Sequence, residues 1–483
     1  MRISGPRHVA AAATIGLGLL AGCVSYNTLY NAEVLYRDAE DLRLTGQDSG
    51  LPERYHEVVA KANKGYESDE GGGRADDALL LIAKAHLRLG ELPEADRALE
   101  RVFEISDDPG VREQAALYQG AVAVAAGDMA RGVTLLDEAI AGIDESIHRA
   151  EGHLWRARAR FELGLVEQGW QDLDRAGEVH GSLVVPSDLE RVTWGFNLSD
   201  LTRVHQGIQA LLFTRRAQVY GDSIRSLVGR FADRWGAFSA MVLLDDVEDT
   251  HWSREERDRL LMTRARLAYR SGDMDRARED ADRVGSGVGE QAADARVTIA
   301  RWTLAEVEEV HQLAGLRSVL LPAVTSEEAR GLLNAIRRVE LLTEYGLDRE
   351  PVALIGAAEI ARDGLGARLL SVGLFHAYAA AVPSAPWYTK ALLAAGELTT
   401  DPAERARLYD LLDALPGDPY VRYARRGQDV PELGELEYRL QAELDPLIER
   451  VERELTARRQ LQGAPAASPA ASPTASPAGV PEE

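Results

Sequence analysis

Three glycines, Gly90, Gly127 and Gly164, recur at a spacing of 37 residues, and their surroundings recur with them. Seven residues before each stands a small residue (Ala83, Gly120, Ala157), and five residues after it another (Ala95, Gly132, Gly169). Apolar residues lie ten before (Leu80, Leu117, Leu154), three before (Leu87, Val124, Phe161) and nine after (Leu99, Leu136, Leu173), with Val102, Ala139 and Ala176 twelve after. Steps of three, four and seven residues put these positions on one helical stripe that must be buried against a neighbour. The small residues mark where two helices approach closely. Each glycine therefore closes one helix and opens the turn into the next.

The pattern resembles the tetratricopeptide repeat, whose unit is two antiparallel helices with small residues at positions eight and twenty and a turn glycine at fifteen. A further copy surrounds Gly272, with Ala265, Ala277 and Ala281 in the matching places. The period exceeds the usual 34 residues, and only Pro109 stands near the expected unit-ending proline. The expected fold is all-α: an α-solenoid of such hairpins followed by a disordered C-terminal tail. Residues 23–73 are expected to form a lipidated N-terminus and an opening hairpin, with helices from about Asn27 to Leu44 and Pro52 to Tyr66 around Gly46. Residues 74–180 hold the three clear repeats. Residues 181–430 are read as divergent helical repeats including a unit at 255–285, with breaks near Pro322, Pro351, Pro383, Pro386 and Pro402 and with Trp194, Phe213, Phe231, Trp235 and Phe238 in the core. A helix at 431–462 carries Leu436, Leu440, Leu444, Leu447, Val451 and Leu455 at helical steps, with a kink expected at Pro446; it caps the solenoid or contacts a partner helix. Residues 463–483 are rich in Pro, Ala and Ser and cannot build a core.

The only cysteine, Cys23, closes the run Leu20-Ala21-Gly22-Cys23 at the end of an apolar segment that follows Arg2 and Arg7. The segment from Val9 to Leu20 is too short for a permanent span and suits an export signal occupying residues 1–22. The run resembles the lipobox of bacterial lipoproteins, which implies cleavage before Cys23 and acylation of it. Several buried acyl chains would make the anchor effectively permanent. In that family an Asp after the cysteine commonly retains the protein at the inner membrane; Val24 stands there, so the resemblance implies the outer membrane, facing the periplasm.

The net charge of −23, about −25 once Arg2 and Arg7 are removed, disfavours nucleic acid and anionic lipid as partners. Only four of the 55 basic residues are lysines, Lys61, Lys64, Lys84 and Lys390. Catalytic patterns are weak. His148 and His153 are five apart and point to different faces of a helix, and no His-Glu-x-x-His run is present to hold zinc. Gly221-Asp222-Ser223 has no preceding strand to make a nucleophile elbow, and the glycine-rich stretch from Gly285 to Gly289 follows a helix rather than a strand. No enzyme activity, small-molecule substrate or cofactor is expected beyond the covalent lipid on Cys23.

In tetratricopeptide repeats the groove commonly uses positions two, six, nine and thirteen of each unit. Position six gives Leu81, Tyr118, Trp155 and Thr263, position nine Lys84, Ala121, Arg158 and Arg266, and position thirteen Arg88, Ala125, Glu162 and Arg270. An acidic protein thus carries a basic strip with two aromatics, Lys84, Arg88, Tyr118, Trp155, Arg158, Arg266 and Arg270. On one reading it is a groove for an acidic or C-terminal peptide segment; on the other its arginines neutralise neighbouring acids and its aromatics pack between repeats. If it is a groove, charge reversal at Arg158 and Arg88 should weaken capture and leave helical content unchanged. Lipobox and hairpins together resemble the lipoprotein of the β-barrel assembly machinery. That implies a membrane-anchored periplasmic scaffold for protein partners in outer-membrane protein assembly. The alternative is a scaffold or regulator of peptidoglycan or envelope polysaccharide enzymes.

Overall fold

The computed structural model describes residues 27–46, 49–68, 72–247, 250–384, 387–426 and 430–463. Cys23 with its signal segment, Pro386, and the tail from residue 464 onward lie outside the described residues. The described chain is helical throughout and contains no strand. The described residues fall into two compact units, those up to 277 and those from 278 onward.

In the first unit the helices are α1 (27–44), α2 (Leu51–Ser68), α3 (Ala75–Leu89), α4 (Leu92–Ile105), α5 (Pro109–Ala125), α6 (Met129–Gly142), α7 (Ser146–Glu162), α8 (Val166–Val179), α9 (Val184–Leu198), α10 (Leu201–Phe213), α11 (Gly221–Trp235), α12 (Ala237–Val242) and α13 (Arg254–Ser271). Helix α14 (Met274–Gly285) follows the turn at Gly272. The expected glycines do end helices: φ is 75° at Gly90, 89° at Gly127, 75° at Gly164 and 87° at Gly272, the left-handed region that favours glycine. The next helices start on side-chain caps where an Asp is available. Asp108 accepts from the Gly110 and Val111 amides, and Asp128 from Arg131.

The α5–α6 and α7–α8 hairpins are interlocked by their small residues. A Cβ on Gly120 would lie 2.7 Å from Leu136 Cγ, one on Gly132 2.5 Å from Val124 Cγ2, and one on Gly169 2.7 Å from Phe161 Cε1. The small position before the turn thus receives the leucine nine after it, and the small position after the turn receives the apolar residue three before it. Helix α3 packs beside α5 and α5 beside α7, so the first helices of successive hairpins form one layer. Second helices pack between hairpins, as α4 does on α5, α6 on α7 and α8 on α9.

The pair α9 and α10 is a further hairpin that lacks the turn glycine. Ser199 takes its place with φ 60°, the only described non-glycine residue in the left-handed region. Here the interlock is exchanged: a Cβ on Gly195 would meet Val204 Cγ2 at 2.6 Å, and one on Gly207 would meet Val192 Cγ2 at 2.6 Å. Two expected core aromatics are corrected. Phe213, the last residue of α10, and Phe238, at the start of the six-residue α12, are exposed, each at the terminus of its helix. Phe231 is fully buried, and Trp194 stacks on Phe161 at 4.8 Å between ring centroids.

The second unit contains α15 (Glu290–Leu304), α16 (Leu313–Leu320), α17 (Glu327–Asp348), α18 (Val352–Asp363), α19 (Arg368–Ala381), α20 (Tyr388–Leu398), α21 (Pro402–Asp413), α22 (Pro419–Arg426) and α23 (Pro431–Gly463). One apolar core runs through it and holds Phe375, Tyr378 and Trp387. The 33-residue α23 continues through Pro446. Its Leu440, Leu444, Leu447, Val451 and Leu455 are buried in this core, against α17 and α18. The apolar stripe of this helix is covered within the unit itself.

Candidate functional site

The first layer of the first unit carries the expected basic strip, and the structure divides it into three parts. Lys84 and Arg88, on α3, and Tyr118, on α5, enter a mostly buried polar cluster. Arg88 donates Nε–H to Glu40 Oε1 at 2.8 Å and Nη2–H to Glu40 Oε2 at 3.0 Å, and it pairs with Glu151 of α7. Its side chain is 7% exposed. Glu40 comes from α1 and also accepts from Arg43 and from the Tyr55 hydroxyl at 2.6 Å. Tyr118, 2% exposed, donates its hydroxyl to Glu151 Oε2 at 2.9 Å. Lys84 donates to Gln114 Oε1 at 2.7 Å and lies 5.0 Å from the Tyr118 ring centroid. One guanidinium therefore ties the opening hairpin to helices three hairpins apart.

Burial sets the electrostatics of this cluster. It would lower Arg88, but the Glu151 and Glu40 carboxylates outweigh it and hold the guanidinium charged, well above its ordinary value. Burial likewise opposes ionisation of Glu40 and Glu151, yet Arg88 leads the groups that hold both below the usual carboxylate range. Tyr36 and Tyr118 are pushed far up by burial and then by nearby carboxylates, Glu40 for Tyr36 and Glu151 for Tyr118. Burial pulls Lys84 down to about 8, against Glu151 and Glu145. His148 falls to about 4, through burial first and Lys84 second, and its Nδ1 is buried without a hydrogen-bond partner.

Trp155 and Arg158, on α7, form the second part. The Arg158 guanidinium lies 4.6 Å from the Trp155 ring centroid and donates Nε–H to Glu190 Oε1 of α9 at 2.8 Å. Both residues are half-buried, so the indole and the Arg158 stem keep an accessible side. Arg266 and Arg270, on α13, are the third part. They are exposed, Arg270 pairs with Asp233 at 3.0 Å, and Thr263 bonds the Arg259 carbonyl within its own helix.

The strip is thus not one open groove. Arg88 and Tyr118 are taken up by carboxylates of the chain itself, which is the neutralising reading for that part. The expectation that reversing Arg88 would leave the helices intact is corrected, because Arg88→Glu would place a third carboxylate against Glu40 and Glu151. The partners had a signal in the sequence at position two of the repeat. That position gives Gln114, which holds Lys84 of the preceding unit, and Glu151, which holds Arg88 two units back.

The other residues weighed for chemistry are placed apart. Ser223 is exposed in the first turn of α11, in a cleft lined by Leu189, Thr193, Asp222, Ser226 and Leu227. His153 binds Asp172 at 3.0 Å, and that carboxylate is shared with Arg156 and Arg160. Among the described residues no group of three or more His, Cys, Asp or Glu side chains is placed to hold a metal ion, and no helix is long and apolar enough to cross a membrane.

No family model and no curated relative matches this chain. Among solved structures, it aligns with a Rap protein complexed with competence and sporulation factor at 12% identity and a TM-score of 0.24, covering 79% of this chain and 99% of that one. It also aligns with the P58(IPK) TPR domain at 12% identity and a TM-score of 0.19, covering 90% and 100% of the two chains. At these scores neither likeness bears on function. The hairpin assignment rests on the turns and glycine contacts above.

Proposed function

We propose that the chain is an outer-membrane lipoprotein, anchored through acylated Cys23, whose hairpins hold protein partners on the periplasmic side. The observation that carries this reading is the layer of first helices α3, α5 and α7, fixed by the Arg88 cluster and presenting Trp155 and Arg158 half-exposed beside it. A rigid stack with an aromatic and a guanidinium on one face suits a peptide carrying a carboxylate and an apolar anchor. Envelope proteins are the partner class, with outer-membrane protein assembly the process and no small-molecule substrate required.

Crosslinking in living cells tests this, comparing the wild type with Cys23→Ser and Arg158→Glu. The expected result is recovery of barrel proteins or their assembly factors, lost with Arg158→Glu and reduced with Cys23→Ser. Recovery of peptidoglycan or polysaccharide enzymes instead would move the scaffold to that alternative process. Capture unchanged by Arg158→Glu would remove the Trp155 and Arg158 surface from the account.

A further inference from the structure

The second unit holds a cleft of about 510 Å³ that none of the preceding roles uses. Three guanidiniums from three helices line it: Arg317 of α16, Arg337 of α17 and Arg458 of α23. Its apolar wall is Leu321, Leu341 and Leu455. Two of the arginines are paired, Arg317 with Glu340 at 2.9 Å and Arg458 with Glu454. Arg337 is half-buried and makes no hydrogen bond or ion pair among the described residues. All three arginines act on the Glu340 carboxyl, which burial nevertheless holds above its ordinary value, so the three charges share one small space.

A half-buried guanidinium without a partner has lost hydration that only an anion restores well. The leucine wall adds a demand for an apolar group beside that anion. With Arg317 and Arg458 neutralised by Glu340 and Glu454, Arg337 is the one unpaired positive charge, which suits a monoanion, and Glu344 beside it opposes a dianion. A volume of this size takes one or two residues rather than a folded surface.

We propose that this cleft binds the C-terminal carboxylate of a peptide whose last residue is apolar. Arg337 holds the carboxylate, Leu321, Leu341 and Leu455 take the side chain, and Glu344 accepts a backbone N–H from the preceding residues. This site lies on the second unit and stands or falls separately from the Trp155 and Arg158 surface.

Fluorescence anisotropy with the labelled pentapeptide Gly-Ser-Gly-Ala-Leu as free acid and as C-terminal amide tests it on the full-length protein. The acid should bind at least tenfold tighter than the amide. Arg337→Gln should remove that difference, whereas Arg349→Gln, at the exposed residue just past the end of the same helix, should keep it. Equal binding of acid and amide, or no binding of either at millimolar protein, overturns the proposal. So does displacement of the peptide by acetate at the peptide's own concentration, which would make the leucine wall irrelevant, or tighter binding of hexyl phosphate, which would make the site one for a dianion. The acid and amide comparison needs no variant, so a misfolded Arg337→Gln would leave the test standing.

Discussion

Both units are built on apolar cores, but they differ in the polar groups buried with them. In the first, the helix layer of α3, α5 and α7 is crossed by a charged seam in which Arg88 serves Glu40 and Glu151 and Tyr118 closes the far end. In the second, a continuous apolar core is sealed by α23, its ion pairs and carboxylate contacts such as Tyr345 to Glu454 and Lys390 to Glu437 lying at its margins and its buried polar contacts being hydroxyl to backbone, as Ser371 to the Ala358 carbonyl. A buried ion pair gains little over well-packed apolar groups, but removal of one member is severe because the other charge stays behind. An apolar core loses stability in proportion to what is cut out. The first unit is therefore brittle at one residue, and the second is graded.

That contrast breaks most visibly at Arg88. Arg88→Ala, which leaves two carboxylates facing each other, should cost the first unit about 3–5 kcal/mol in denaturant unfolding; a cost below 1 kcal/mol would mean that the seam is solvated. Leu444→Ala in α23, a residue 2% exposed that packs onto Gly356, should cost the second unit about 2–4 kcal/mol and leave the first unchanged.

Acid should also separate the units. His148 has a folded value of about 4 against 6.5, so the unfolded chain binds its proton first and stability falls as pH drops from 6.5 towards 4, by roughly 3 kcal/mol. Glu40 and Glu151 are held below 4.5, so their contribution is present above 4.5 and is lost as pH falls below it. Thermal unfolding at pH 7, 5.5 and 4 should show the first unit weakening first, and His148→Gln should flatten the portion above pH 4.5.

The smallest effects compare two glycines. Gly132→Ala must push a Cβ against Val124, whose backbone nitrogen lies 3.2 Å away, and should destabilise by about 1 kcal/mol despite the better helix former. Gly229→Ala in α11 meets no atom within 4 Å and should stabilise by about 0.5–1 kcal/mol. Equal signs for the two would remove the interlock from the account.

The hairpins around Gly90, Gly127 and Gly164 were legible because turn and contact both need residues without a bulky side chain, and such needs recur at fixed spacing. The α9 and α10 hairpin was not, since Ser199 adopts the glycine conformation and the small partners moved from seven before and five after the turn to four before and eight after. Knobs and holes changed places while the packing stayed the same. The charged seam escaped for another reason. Glu40 lies 48 residues before Arg88, in the opening hairpin outside the repeat register and among 78 acidic residues, so no repeat position marks it; Glu151, 63 after, stands at position two of its unit but two units away from its partner. The Arg337 cleft was invisible because α16, α17 and α23 meet only in three dimensions.

The most direct test of the scaffold is site-specific photocrosslinking in cells, from a benzophenone side chain placed at position 162 or at position 138. Glu162 is exposed on the same stripe as Trp155 and Arg158, whereas Glu138 is exposed on the second helix of the preceding hairpin. The account predicts discrete partner adducts from position 162, suppressed by Arg158→Glu, and none from position 138. Equal adducts from both positions, or adducts at 162 that survive Arg158→Glu, would contradict it.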